Sequence, residues 1–374
     1  MVASNPRPNP VERPPSVRAD GEALCPLVSV VLPVRNEGPH IQPCLERLLS
    51  QDYPAAAVEI LVIDGRSDDD TVDRVREVQQ RHPDADLRLL DNPQRTVPHA
   101  LNLGIRAARG DVIVRMDGHA VPSPDYLSTC VAALERSGAA NVGGVVVARG
   151  ATPFGHAVAL VTQHPLGAGD ARYRIGGEAG DVDTVPFGAF RRDLFRRVGL
   201  FDESLVRNQD YEFNVRVRSH GERVYFDPAI RFAYTPRGNV RSLWSQYFQY
   251  GWWKVETVRR HPRSLRWRQL LPPAFFLGTG LAAVLAPWWS PAAWALAVAT
   301  VAYVGTVGAV ATRIARVPAT PVMVALAFAV IHAAWSLGFL LNAVSRGTVP
   351  FRSGPPNVPQ LDLEPTAPVA GGPL

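Results

Sequence analysis

A chain of 374 residues with 47% apolar residues can build one large domain or two smaller ones, and three cysteines exclude a small disulfide-stapled secreted scaffold. The formal net charge of +5 is modest, and its arginines gather before and between apolar stretches. That distribution argues against a nucleic-acid partner and for a membrane surface.

Cys25, Cys44 and Cys130 form neither a Cys-x-x-Cys pair nor a zinc spacing, and read as incidental thiols of a reducing compartment. Residues 1–26 are Pro-rich and polar without an apolar centre, so they read as a disordered lead-in and not as a signal peptide. Residues 346–374 have a similar composition and read as a flexible tail.

The first ordered element is the apolar, β-branched run LVSVVLPV at 27–34, suited to a strand buried on both faces of a parallel sheet. A helix with Ile41, Leu45, Leu48 and Leu49 on one face follows. VEILVID at 58–64 is a second buried strand, and Ser67 to Asp70 offer a cap for a helix carrying Val72, Val75 and Val78. DLRLLD at 86–91 is a third strand. A helix around Leu101 and Ile105 leads to a fourth, DVIVRM at 111–116.

Alternating strands and helices of these lengths predict an α/β fold with a mostly parallel, Rossmann-like sheet, over residues 27–240. Ligands of such sheets bind beyond the carboxyl ends of the strands, where Asn36, Glu37, Asp64 and Asp117 all fall. After Val121 the pattern loosens. NVGGVVVAR at 141–149 is a strand, 151–188 is a Gly-rich irregular stretch, 192–198 and 208–221 are helices, and RVYFDPAIRFAY is strand-like.

Residues 241–270 are dense in aromatic and basic residues and read as an amphipathic segment lying in the lipid headgroup layer. Three nearly uncharged stretches follow at 272–289, 292–311 and 321–343, each near the length needed to cross a bilayer, so 271–345 reads as a membrane domain of about three transmembrane helices. Arginines 259, 260, 263, 266 and 268 precede the first stretch, and Arg313 and Arg316 lie between the second and third. The positive-inside tendency then places the catalytic domain and the 312–320 loop in the cytoplasm, in a multi-pass protein of the cell membrane. A third crossing would put the C-terminus outside, against which Arg346 and Arg352 argue.

Several quoted stretches occur together and in order: VSVVLPVRNE, ILVIDGRSDDDT, ALNLGIRAARGDVIVRMDGHA, and GAFRRDLFRRVGLFDESLVRNQDYEFNVRV. Together they resemble the inverting family 2 glycosyltransferases of GT-A fold. MDGHA and YFQYGWWK are most similar to the branch of succinoglycan glucosyltransferases around ExoA.

The resemblance implies that Pro33, Asn36 and Glu37 line a nucleotide pocket, that Asp64 bonds the base (usually uracil), and that Asn102 and Arg106 face the donor. It also implies that Asp117 binds the divalent cation, Mn²⁺ or Mg²⁺, that holds the donor diphosphate. Where many relatives have Asp-x-Asp this chain has Asp-x-His, so His119 is a candidate nitrogen ligand or a phosphate donor. Asp210 matches the catalytic base, with Gln209 where relatives commonly have Glu.

Gln246, Tyr250, Trp252 and Trp253 occupy the region where processive synthases carry Gln-x-x-Arg-Trp, and read as contacts to acceptor or membrane. The arginine of that pattern is missing, which favours addition of a single sugar. The expected partners are a nucleotide sugar, UDP-linked by the resemblance, and a polyprenyl-linked saccharide of exopolysaccharide or cell-envelope assembly. The alternatives are a synthase that loads polyprenyl phosphate directly and a catalytically silent membrane scaffold.

Overall fold

The computed structural model describes residues 25–345 and 357–361. Most of the lead-in expected over 1–26, and 346–356 and 362–374 of the expected tail with Arg346 and Arg352, lie outside the described residues.

In chain order the first half runs β1 (Val28–Val34), α1 (Gly38–Leu49), β2 (Val58–Asp64), α2 (Thr71–Arg81), β3 (Leu87–Asp91), α3 (Val97–Ala107), β4 (Val112–Arg115), β5 (Ala120–Pro122), α4 (Tyr126–Ser137) and β6 (Asn141–Ala148). Next come α5 (Pro153–Thr162), α6 (Pro165–Ala168), α7 (Arg172–Ile175), β7 (Gly180–Asp181), β8 (Ala189–Arg191), α8 (Leu194–Val198), α9 (Gln209–Ser219) and β9 (Val224–Tyr234). Four helices close the chain: α10 (Val240–Arg260), α11 (Leu271–Leu285), α12 (Ser290–Ile314) and α13 (Pro321–Ser345).

Among the described residues the strands form one mixed sheet of order β3-β2-β1-β4-β8-β6-β9-β5, with β7 beside β9. The β3-β2-β1-β4 half is parallel, and β8 enters antiparallel between β4 and β6. Every residue of β1 is buried, as a strand covered on both faces requires. Pro33 fits within it because β1 pairs with β4 only as far as Val31, so its missing N–H faces no strand.

One face of the sheet packs on α1, α2 and α4 through Ile41, Leu45, Val75 and Leu127. The other packs on α3, α8 and α9, where the rings of Phe190, Phe195, Phe201 and Phe213 stack in one cluster. Gly104 of α3 lies so close to the sheet that a Cβ there would stand 2.4 Å from a Val31 methyl. The irregular stretch expected over 151–188 contains the ten-residue helix α5, started by Thr152, whose hydroxyl accepts from Gly155 N.

Within the segment read as lying in the headgroup layer, α10 packs one side against the protein, while Trp244, Trp267 and Leu270 stand exposed. Helix α10 buries Leu243, Tyr247, Gly251, Trp252, Trp253, Val255 and Thr257, and packs along α13. The two helices touch backbone to backbone: a Cβ on Gly251 would lie 2.0 Å from Trp335 O, and one on Gly338 would lie 2.1 Å from Phe248 O. Asn342 locks the crossing by donating to Trp252 O at 2.8 Å and accepting from Arg259 Nη1 at 2.8 Å.

Of the three apolar stretches, α12 and α13 are long and apolar enough to cross a membrane, whereas α11 has 15 residues. In the most apolar window of α13, 44% is already buried against the rest of the protein, compared with 11% in α12.

Residues 357–361, expected to be part of a flexible tail, dock on the catalytic domain. Glu203 N donates to Asn357 O and Leu200 N to Pro359 O, both at 2.9 Å, and Leu361 joins the core beside α3 and α8. The Asp202 carboxylate, 1% exposed, accepts from Asn357 N at 3.0 Å and from Arg260 Nη1 at 2.8 Å.

Candidate active site

The carboxyl ends of β1, β2 and β4 meet at one edge of the sheet. The loops after β1 and β2 are stitched together there. Asn36 N donates to Ser67 Oγ (2.9 Å), its Oδ1 accepts from Asp68 N (3.0 Å), and Glu37 N donates to Thr71 Oγ1 (2.8 Å). Asn36 takes φ +55°, a left-handed conformation that Asn adopts at low cost. Asp64 is buried and accepts from Ser67 N at 3.0 Å and Ser67 Oγ at 2.6 Å, so its carboxylate closes the turn at the end of β2. Pro33 lies one turn deeper, inside β1.

At the end of β4 stands a residue the sequence reading passed over. Arg115 is 5% exposed, donates from Nη2 to Asp117 Oδ1 at 3.1 Å, and pairs through Nη1 with Asp210 of α9. Its guanidinium lies 5.3 Å from the centre of the Phe187 ring. Two carboxylates 93 positions apart in sequence are thus presented side by side by one buried cation. The signal was legible: an arginine interrupting the apolar run DVIVRM must find buried anions.

His119 faces the same edge. Its Nδ1 is 2.8 Å from Glu37 Oε1, and its ring is 5.7 Å from that of Tyr234. Burial disfavours the imidazolium, but the hydrogen bond to Glu37 and the charges of Asp117 and Glu37 outweigh it and raise the pKa. In the neutral ring a proton on Nδ1 bonded to Glu37 leaves the Nε2 lone pair free for a metal, and the Glu–His pair fixes the ring's orientation.

Asp117 oxygen and His119 nitrogen therefore fit a divalent cation as a two-residue donor set. Among the described residues no three His, Cys, Asp or Glu side chains cluster as a complete metal centre. Cys44 lies beneath, its Sγ 3.7 Å from Asp117 O; burial first, then the charges of Asp117 and Glu37, push the thiol up to about 12, so it packs and does not react.

Asn102 and Arg106 both bond within the protein, Asn102 from a buried position and Arg106 from an exposed one. Asn102 is 1% exposed and exchanges hydrogen bonds with Phe201 N and O at 2.9 Å, while Arg106 donates to Gln360 O at 3.1 Å. Trp252 and Trp253 are each 4% exposed and pack around Leu205, enclosed by the protein. Gln246 does approach the site, donating to Tyr250 Oη at 3.1 Å and Tyr234 Oη at 3.4 Å.

The helix bearing Asp210 is gripped by the segment that follows α10. Tyr211 Oη donates to Ser264 O at 2.8 Å, and His261 Nε2 is 3.0 Å from Glu212 Oε1. Glu212 is buried, which opposes its charge, but His261 and the Arg216 guanidinium at 2.7 Å prevail and hold its carboxyl below the usual range. Lys254 is 5% exposed, with its ammonium 3.8 Å from the Tyr211 ring centre and 3.3 Å from Ser264 O; burial lowers its pKa to about 7.

Residues 29–199 match the family described as Glycosyl transferase family 2. These residues form a family 2 glycosyltransferase domain. The chain as a whole is similar to the succinoglycan biosynthesis protein ExoA of Rhizobium meliloti (strain 1021), at 29% identity over 83% of this chain and 93% of the relative. It is also 29% identical, over 64% of its length and 76% of the relative's, to a Methanococcus voltae enzyme: dolichyl N-acetyl-alpha-D-glucosaminyl phosphate 3-beta-D-2,3-diacetamido-2,3-dideoxy-beta-D-glucuronosyltransferase.

Among solved structures, the mannosyltransferase PcManGT from Pyrobaculum calidifontis, in complex with GDP-Man and Mn²⁺, superposes with TM-score 0.61 at 22% identity. The match covers 90% of this chain and 92% of that one, so the GT-A-like fold is shared. The chain thus carries a family 2 glycosyltransferase domain, is related to ExoA, and has two helices after that domain that could span a membrane.

Proposed function

We propose that this family 2 glycosyltransferase is a metal-dependent inverting enzyme that moves one sugar from a nucleotide sugar to a lipid-linked saccharide at the cytoplasmic face of a membrane. The observation that carries the reading is the Arg115 bridge, which sets Asp117 and Asp210 together at the carboxyl ends of the strands, beside His119 and Glu37. Relatives that act on a dolichyl-linked sugar and in succinoglycan biosynthesis support the acceptor class. The mannosyltransferase solved with GDP-Man and Mn²⁺ supports a divalent cation working with a nucleotide sugar.

On this reading the stitched loops of Asn36, Glu37 and Asp64 receive the nucleotide, and Asp117 and His119 hold the cation. A cation bound there would neutralise charge on the departing nucleotide diphosphate. Asp210 accepts the proton of the acceptor hydroxyl as its oxygen attacks the anomeric carbon from the side opposite the diphosphate. That geometry converts an α-linked donor into a β-linked product. Arg115 holds the base and the metal-binding carboxylate at a fixed separation.

The test is nucleotide diphosphate release by detergent-purified protein with UDP- and GDP-sugars, Mn²⁺ and a lipid-linked acceptor extract, comparing wild type with Asp210→Asn. Base-assisted transfer predicts release from one donor that needs acceptor and falls about 10²–10⁴-fold in the variant. Undiminished release by the variant would instead indicate direct loading of polyprenyl phosphate, where no hydroxyl proton is removed. Silence across the panel would return the scaffold reading.

A further inference from the structure

Beside the active site lies a cavity of about 150 Å³ whose two arginines none of the roles above uses. Its walls come from three places in the chain: Arg207 just before α9, Arg237 just after β9, and the first half of α10. Arg207 stands three residues ahead of Asp210, and the charge of Arg237 is felt at His119. Gln246 and Tyr250 form the side nearest the reaction centre through the Gln246–Tyr234 contact, and the Tyr234 ring lies beside His119.

The two arginines are chemically unfinished. Among the described residues neither lies within ion-pair distance of a carboxylate. Arg207 has one hydrogen bond, from Nε to Gln249 Oε1 at 3.2 Å, and Arg237 has none. Most other arginines around the site have an anion: Arg115 has Asp117 and Asp210, Arg216 has Glu212, Arg260 has Asp202, and Arg266 has Asp183. Two guanidiniums facing one small cavity, with the hydroxyls of Ser242 and Ser245 beside them, leave up to about nine guanidinium N–H donors free. Such a lining fits a phosphate or diphosphate ester, whose oxygens only accept.

We propose that this cavity seats the phosphate or diphosphate ester of the lipid-linked acceptor, held by Arg207 and Arg237 and completed by Ser242 and Ser245. The assignment rests on the lipid-linked-acceptor reading and adds the residues that recognise its anionic junction. The acceptor, rather than the donor, is favoured by position. The donor diphosphate belongs with Asp117 and His119 at the strand ends, whereas the cavity lies along α10, the helix that packs on the apolar α13. A lipid whose hydrocarbon lies along the apolar helices would present its phosphate there and extend its sugar toward Asp210.

The experiment uses full-length protein in detergent and measures binding directly, without turnover. Farnesyl diphosphate, farnesol, inorganic pyrophosphate, and UDP or GDP with Mn²⁺ are titrated against wild type, Arg207→Gln, Arg237→Gln and the double variant. Both arginines are exposed, so the variants should fold, and their unfolding midpoints check this. Arg241→Gln, an exposed arginine of α10 outside the cavity, controls for general charge attraction.

Loss of a charge-assisted hydrogen-bonding pair predicts farnesyl diphosphate affinity about ten- to a hundred-fold weaker in each variant. Nucleotide diphosphate affinity should be unchanged and Arg241→Gln should behave as wild type. The proposal is overturned if wild type binds farnesyl diphosphate no better than farnesol, or if the variants retain its affinity. Equal loss of nucleotide diphosphate affinity would assign the cavity to the donor, and pyrophosphate binding as tight as farnesyl diphosphate would reduce it to a free-anion site. Failure of wild type to bind any nucleotide diphosphate would sink the glycosyl-transfer reading instead, whatever the lipid titration shows.

Discussion

Replacing Lys254 by Met should make the protein more stable at neutral pH, and the gain should disappear in alkali. The ammonium is 5% exposed, over the Tyr211 ring, and burial lowers its pKa from 10.5 to about 7. A lysine with a depressed folded pKa is charged in the unfolded chain and neutral in the native one between those two values. The unfolded state then binds the extra proton, and stability rises with pH across that window. At about 1.4 kcal/mol per unit, wild type gains about 3–4 kcal/mol between pH 7 and pH 10, and Lys254→Met gains none of it.

Unfolding midpoints in detergent at pH 7, 8.5 and 10 read this as a gap between variant and wild type that closes by roughly 2–4 °C per kcal/mol. Other titrating groups act on both proteins and cancel in the difference. A gap that stays constant from pH 7 to pH 10 would refute the reasoning, because it would show that Lys254 keeps its ordinary pKa in the folded protein.

Three further changes probe the frame around Asp210. Arg115→Met removes the cation shared by Asp117 and Asp210 and should lower turnover about 10²-fold, since small misplacement of reacting groups costs that much; nucleotide binding should be retained, and turnover within about threefold of wild type would refute the bridge. Arg260→Met leaves the buried Asp202 carboxylate without its guanidinium and should cost about 3–5 kcal/mol in thermal unfolding, with faster proteolysis near residue 357. Gly251→Leu forces α10 from α13 at a contact where even a Cβ has no room, and should cost at least about 1–3 kcal/mol while weakening activity through Gln246 and Tyr250.

The parallel half of the sheet was legible because each strand there is a continuous apolar run of strand length, rich in β-branched residues. The strand-end positions of Glu37, Asp64 and Asp117 followed from that alone. Helix α4 was equally readable, with Leu127, Val131 and Leu134 at i, i+4 and i+7 and Gly138 as its stop, whereas α5 was masked by its glycine-rich surroundings even though Thr152-Pro153 is a readable start.

The aromatic α10 is ambiguous for a different reason. Tryptophans that meet lipid and tryptophans that meet Leu205 have the same spacing, and only the position of α13 distinguishes them. Asn102 and Arg106 faced a similar ambiguity, since an amide that grips a neighbouring loop and an amide that grips a ligand are identical in sequence. Arg115, by contrast, was readable and was passed over.

The docking of residues 357–361 has a consequence of parity. Asp202 bonds Arg260, where the chain leaves the catalytic domain, and Asn357, where it returns. If the helices between them cross a bilayer, a chain tied at both points to one rigid body does so an even number of times, which two crossings satisfy and three do not. The helices long and apolar enough to cross, α12 and α13, would meet that parity as a returning pair, with α13 keeping one side, from Val324 to Asn342, against the protein.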